Sequence, residues 1–270
     1  MKAGPKRQLD AGPLDLSMLP RSGGDRAIAF VETFLRLPKG RGAGQLISLR
    51  EWQKEVVAGL YDDPRPRQGL LSMPRKNGKS LLAACLALFA LFADGEEGAE
   101  VLIVAADERQ ARVVFNLARR MIELSPALVE QVWVYADRIV YPATDSVLEP
   151  LPAEGDRLQG RNPSLAVVDE LHVVAETTWD AMALAGGTRE RPLTLAISTA
   201  AGDRDGVMWR LTEHGRKGED PSFFYRCWSA PAGCGLGDEA AWLEANPALG
   251  DFLSADHLQA TVGTTREDVF

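Results

Sequence analysis

The chain has 270 residues, 46% hydrophobic and 25% charged, proportions that allow a sizeable buried core and exclude a low-complexity or fibrous polymer. Its net charge of −8 is a poor match to a surface that grips polyanions throughout, so the distribution of basic residues matters more than their sum. Three cysteines, Cys85, Cys227 and Cys234, are widely spaced and lack any Cys-x-x-Cys pair, which argues against a disulfide framework and against structural zinc.

Residues 1–24 are rich in Gly, Pro and charge and read as a mobile tail, with a folded core expected from Asp25. Residues 1–20 lack the apolar run of a signal peptide, so the chain is expected to remain in the cytoplasm where it is made. Trp52, Val56 and Leu60 recur at helical spacing and predict an amphipathic helix. Next come an apolar strand at residues 69–73, a polar turn, and an apolar helix at 80–93 that is too short to span a bilayer, so no membrane is expected among the partners.

Strand and helix patterns then alternate: strand 100–106, helix 107–124, a short hairpin near 138–151, strand 165–168, helix 178–185 and strand 193–198. This alternation predicts an α/β fold with right-handed crossovers around a mostly parallel sheet. On the 107–124 helix, Arg109, Arg112 and Arg120 fall near one face, opposite Val114, Leu117 and Met121. That face is either solvated or a stripe for a polyanion. After Gly202 the pattern changes to a helix at 207–214, a strand at 223–228 and Gly- and Pro-rich turns at 231–237. Residues 25–222 are therefore read as the core and 223–270 as a small lid or linker subdomain.

The turn between the first strand and its helix reads Pro74-Arg75-Lys76-Asn77-Gly78-Lys79-Ser80. A strand, a Gly-Lys-Ser turn and a helix in that order form a phosphate-binding loop of the Walker A kind. Its backbone N–H groups and the positive helix end cradle a polyphosphate, Lys79 reaches the outer phosphates, and the Ser80 hydroxyl binds Mg²⁺. Met73 stands where this loop ordinarily has its first glycine. The alternative is an ordinary strand-turn-helix corner with a capping serine.

Ser164-Leu165-Ala166-Val167-Val168-Asp169-Glu170 decides between these readings. It is an apolar strand that delivers two acids to the carboxyl edge of a parallel sheet, where ligands bind. Asp169 would hold Mg²⁺ through its water shell, and Glu170 would orient and deprotonate the attacking water. The two motifs together point to a P-loop NTPase of the ASCE type that hydrolyses a nucleoside triphosphate. The strand at 193–198 ends in Ser198 and Thr199, which either sense the γ-phosphate or satisfy turn amides. His172 is read as a structural, hydrogen-bonded histidine, and His214 and His257 have no neighbours at metal-ligand spacing.

With these blocks in place, the chain resembles the large terminase subunit of tailed double-stranded DNA bacteriophages, in the HK97-like branch. The resemblance rests on residues 74–80, on Arg157-Leu158-Gln159-Gly160 with Asn162-Pro163-Ser164, on Val168-Asp169-Glu170-Leu171-His172, and on Ile197-Ser198-Thr199-Ala200. It implies an ATPase motor, in a homo-oligomeric ring (a pentamer) on the capsid, that drives double-stranded DNA into an empty shell. The implied partners are the capsid portal and the small terminase subunit, and the implied compartment is the host cytoplasm. Arg75 would bridge phosphates or relay nucleotide state, and Arg157 resembles a finger that enters the neighbouring subunit's site, with Arg161 as the competing candidate. Leu49-Arg50-Glu51-Trp52-Gln53-Lys54-Glu55 resembles the family's adenine-recognition segment, so the Gln53 amide would pair with the base while Trp52 packs in the core. The resemblance implies a following nuclease domain, which is expected to lie outside these 270 residues. Two rival readings remain: a superfamily 2 helicase-like translocase, and an ATP-binding assembly scaffold with little hydrolysis.

Overall fold

Apolar runs that alternate neither face with water must be covered on both sides, and the strands of this chain obey that rule. The computed structural model describes residues 14–153, 158–200 and 205–262. Two helices, α1 (Gly23–Phe34) and α2 (Glu51–Tyr61), precede β1 (Gln68–Ser72), α3 (Lys79–Phe92), β2 (Glu100–Ala105) and α4 (Glu108–Leu124). A short turn of helix, α5 (Pro126–Val129), leads into β3 (Trp133–Val134), β4 (Ile139–Tyr141) and β5 (Ser146–Pro152). Then follow β6 (Leu165–Asp169), α6 (Glu176–Ala185), β7 (Leu193–Ser198), α7 (Val207–Lys217), β8 (Phe223–Cys227), α8 (Glu239–Ala245) and α9 (Ala255–Val262).

The strands form one eight-stranded sheet in the order β3-β4-β5-β2-β6-β7-β1-β8. All pairs from β5 to β8 are parallel, and the β3-β4-β5 meander is antiparallel. Successive strand residues point to opposite faces, so Leu71, Ile103 and Val167 join the core beneath α1 to α4, while Leu70, Leu102 and Ala166 join the core beneath α6 and α7. Helix α3 is buried on nearly its whole circumference, from Leu82 to Phe92, between the sheet, α1 and α4. Among the described residues, no helix is long and apolar enough to cross a membrane.

The structure departs from the sequence reading at both ends. Leu14 and Leu16 pack against the core, Leu19 is buried and α1 already starts at Gly23, so residues 14–24 are not a free tail; residues 1–13 lie outside the description. Apolar side chains at 14, 16 and 19 are enough to seat this stretch despite its polar composition. Strand β8 pairs in parallel with β1, so the sheet continues past the boundary expected at 222. It covers what would otherwise be β1's open edge. On α4, Arg112 pairs with Glu108, and Arg119 and Arg120 both pair with Glu123, the arrangement of a solvated helix face.

Candidate active site

Strand β1 releases the chain at Met73, whose side chain is buried in the core, which is how the loop accommodates methionine at its first position. The turn that follows bends through left-handed backbone at Lys76 (φ 71°) and Gly78 (φ 87°). Such a turn brings successive amides toward one concave surface. Glycine at 78 meets a second constraint, because a Cβ there would sit 3.3 Å from the Phe252 ring. Arg75 and Lys76 are exposed, Pro74 and Ser80 are half-buried, and Asn77 is fully buried.

Lys79, at the first position of α3, is only 6% exposed. Its Nζ donates to the carbonyls of Met73 at 2.7 Å and Pro74 at 3.3 Å, folding the amine back across the loop. Burial lowers its pKa, and the carboxylates of Glu170 and Asp169 pull it back up. The amine and both acids thus act on one another across the sheet edge.

The acids arrive on β6, two positions from β1, with β7 between them and Asp169 in register with Ile197. Asp169 is 1% exposed. Its Oδ2 accepts from Gln110 Nε2 at 3.1 Å, and its buried Oδ1 has no partner. Burial first, and then the charge of Glu170, push the Asp169 carboxyl up to about 6. A buried, partly unsatisfied carboxylate fits a divalent cation, which would supply the missing partner and reverse that shift.

Glu170 ends the strand in a left-handed conformation (φ 51°), which turns its side chain off the strand direction. Its Oε2 lies 3.3 Å from the Thr199 amide, 3.4 Å from Thr199 Oγ1 and 3.3 Å from His172 Nδ1. The Ser198 hydroxyl accepts from the His172 amide at 3.2 Å and lies 3.1 Å from its Nδ1. Ser198 and Thr199 therefore hold the turn that carries Glu170, and His172 joins the two.

Gln53 is 4% exposed, and its Oε1 accepts the Arg50 amide at 2.9 Å, closing the first turn of α2. Trp52 packs edge-on against Trp228, with ring centroids 5.4 Å apart, as a core residue would. Arg50 pairs with Asp251 and lies over the Phe252 ring. The segment at 246–252 therefore reaches both the start of α2 and the phosphate loop. Arg157 lies outside the described residues. Arg161 binds Glu100 at 2.8 Å and Glu149 at 2.9 Å within the same chain.

Sequence reasoning passed over Gln110, Asn246 and Phe252, and gave His172 no role at the site. Gln110 was within reach of pattern: it lies in the first turn of the helix after β2, the strand next to β6, and that turn falls at the carboxyl edge. Asn246 and Phe252 carry no local signal.

Residues 51–217 match the family described as "Terminase large subunit, ATPase domain". The terminase large subunit of Enterobacteria phage HK97 is 33% identical over 238 residues, covering 86% of this chain and 47% of that protein. The crystal structure of the HK97 bacteriophage large terminase superposes with a TM-score of 0.82 at 31% identity, covering 90% of this chain and 51% of that one. The large terminase ATPase domain of Thermus phage P74-26 shares the fold, with a TM-score of 0.55 at 19% identity over 66% of this chain and 80% of that one. The chain spans about half the length of the HK97 protein.

Proposed function

This chain belongs to the terminase large-subunit ATPase family, and we propose that it is the motor portion of a machine that hydrolyses ATP to drive double-stranded viral DNA into a capsid. One observation carries the reading: the buried Lys79 amine and the Asp169 and Glu170 carboxylates act on one another at the carboxyl edge of a single parallel sheet.

In this reading, incoming triphosphate oxygens replace the Met73 and Pro74 carbonyls as partners of Lys79. The amides of the 74–78 turn and the amino end of α3 meet the remaining phosphate charge. Ser80 and Asp169 would hold Mg²⁺, which would supply positive charge beside the phosphates. Glu170 takes a proton from water as the water oxygen bonds to the γ-phosphorus and the bond to the β–γ bridging oxygen breaks. Thr199 and His172 fix the Oε2 end of that carboxylate, so the base is aimed before substrate arrives. Arg75 lies at the rim of the loop to meet phosphate or a neighbour, and Gln53 contributes to the adenine end while capping α2. Arg157 completes the site of the adjoining subunit in a ring, and the capsid portal and small terminase subunit are its partners. The host cytoplasm is where these would meet.

Glu170→Gln tests the assignment. The variant should bind ATP as the wild type does and release phosphate at least about 100-fold more slowly, the loss of a general base. Wild-type turnover in that variant would remove Glu170 from the role. Running the same phosphate-release assay with and without duplex DNA separates a motor from a nucleotide-bound scaffold.

A further inference from the structure

Helix α3 is a rod of 14 residues with the phosphate loop at its amino end, so its other end lies about 20 Å away on the opposite edge of the sheet. A cavity of about 320 Å³ opens there, and four arginines line it: Arg21, Arg26, Arg65 and Arg191. Asp94 is the only acid among the described residues of the lining. In a chain of net charge −8, this is a marked local reversal of sign.

The four guanidinium groups are not equally engaged. Arg65 is 6% exposed, forks onto Asp94 at 2.8 and 2.7 Å, and keeps a buried Nε with no partner. Arg26 donates to the Ala93 and Pro20 carbonyls at 2.7 Å each and makes no ion pair among the described residues. Arg191 makes one half-exposed contact to Asp63 at 2.6 Å, of a kind worth little in water. Arg21 has no hydrogen bond or ion pair among the described residues. Two guanidinium groups held by two bonds each and two loosely engaged ones around one cavity suit a planar-fork recognition of tetrahedral oxyanions.

We propose that this cavity is a second phosphate-binding site, distinct from the nucleotide site and facing away from it. Its ligand chemistry is a phosphate, presented either by the backbone of duplex DNA or as a free ion. The DNA arm rests on the packaging reading; the free-ion arm does not.

The test is the double variant Arg21→Ala/Arg191→Ala in the whole chain, with Arg21→Lys/Arg191→Lys as its charge-conserving control. Arg21 is exposed and Arg191 half-buried, and both are remote from Lys79 and Glu170, so ATP hydrolysis without DNA should match the wild type and reports separately on the motor assignment. Fluorescence anisotropy with a labelled duplex, from about 50 to about 200 mM salt, should show about tenfold weaker binding for the alanine pair and a log–log salt slope smaller by about 2, with both retained in the lysine pair. If DNA binding is unchanged but a thermal upshift of the wild type by inorganic phosphate disappears in the alanine pair, the site takes the free ion. An unchanged salt slope together with no phosphate-dependent upshift in the wild type overturns the proposal, as does equal weakening of the alanine and lysine pairs.

Discussion

Inside the phosphate loop, Asn77 Nδ2 donates to Asn246 Oδ1 at 2.7 Å, joining residues 169 positions apart in sequence. A second bond crosses in the other direction, with Asn77 Oδ1 accepting the Ala248 amide at 3.1 Å, while Asn246 Nδ2 donates to the Trp242 carbonyl of its own segment at 3.0 Å. Both asparagines are buried, so the loop that meets phosphate is fastened to the segment beyond the sheet by bonds that water cannot replace.

Asn77→Ala should therefore act at a distance. It leaves the Asn246 oxygen buried without a donor, which costs about 1–3 kcal/mol, and it frees the 246–252 segment from the loop. A lower urea midpoint together with reduced ATP turnover is the expected outcome. An unchanged midpoint would mean that the fastening contributes nothing to stability.

Asp169→Asn should stabilise the nucleotide-free protein while abolishing hydrolysis. The folded carboxyl titrates at about 6 against an ordinary 3.8, so keeping it ionised in its buried site costs about 2–3 kcal/mol at neutral pH. The folded state binds the proton more tightly than the unfolded chain, so this cost is present above pH 6 and is relieved as pH falls toward 4. Urea titrations should show the variant ahead of the wild type at about pH 8, with the gap closing across that window. A gap that widens on acidification would contradict the assigned cause.

Ser198→Ala removes the hydroxyl that accepts the His172 amide, and His172→Ala removes the ring beside Glu170 Oε2. Each should lower kcat for ATP by roughly tenfold while leaving KM close to the wild-type value, because the carboxylate is less well aimed but the phosphates are held as before. A rise in KM alone would place these residues in substrate binding instead.

Arg161 is tied to Glu100 and Glu149, so Arg161→Ala should lower stability and should not be rescued by a neighbour. Arg157→Ala mixed with Glu170→Ala protein, by contrast, should regain part of the lost ATPase activity under ring-forming conditions. Restoration by the Arg161 variant and not the Arg157 variant would exchange their roles.

Much of this architecture was legible because its signals are local. The 79–92 helix, the 165–169 strand and the 193–198 strand are each announced by a run of apolar residues whose burial on all sides leaves no other reading. The 14–24 stretch was misjudged, and the expected strand at 223–228 was given to a separate subdomain, for the converse reason. Their composition is polar or mixed, and what seats them is a partner surface supplied by remote parts of the chain. Gln53 illustrates a subtler limit: its spacing within the 49–55 segment is visible, but the hydrogen bond that engages its Oε1 with the Arg50 amide depends on the backbone turn at the start of α2.

The order of residues by itself determined the loop, the acidic strand end and the parallel sheet, since helix and strand periodicity and a Gly-Lys-Ser turn are properties of neighbours along the chain. Only the folded chain decided that Asp169 is buried beside Gln110 with its carboxyl raised, that Thr199 and His172 hold Glu170, that Asn77 is fastened to Asn246, and that four arginines meet at the far end of α3. Most of these join groups tens of residues apart, and their energies depend on distance and on exclusion from water, neither of which sequence separation encodes.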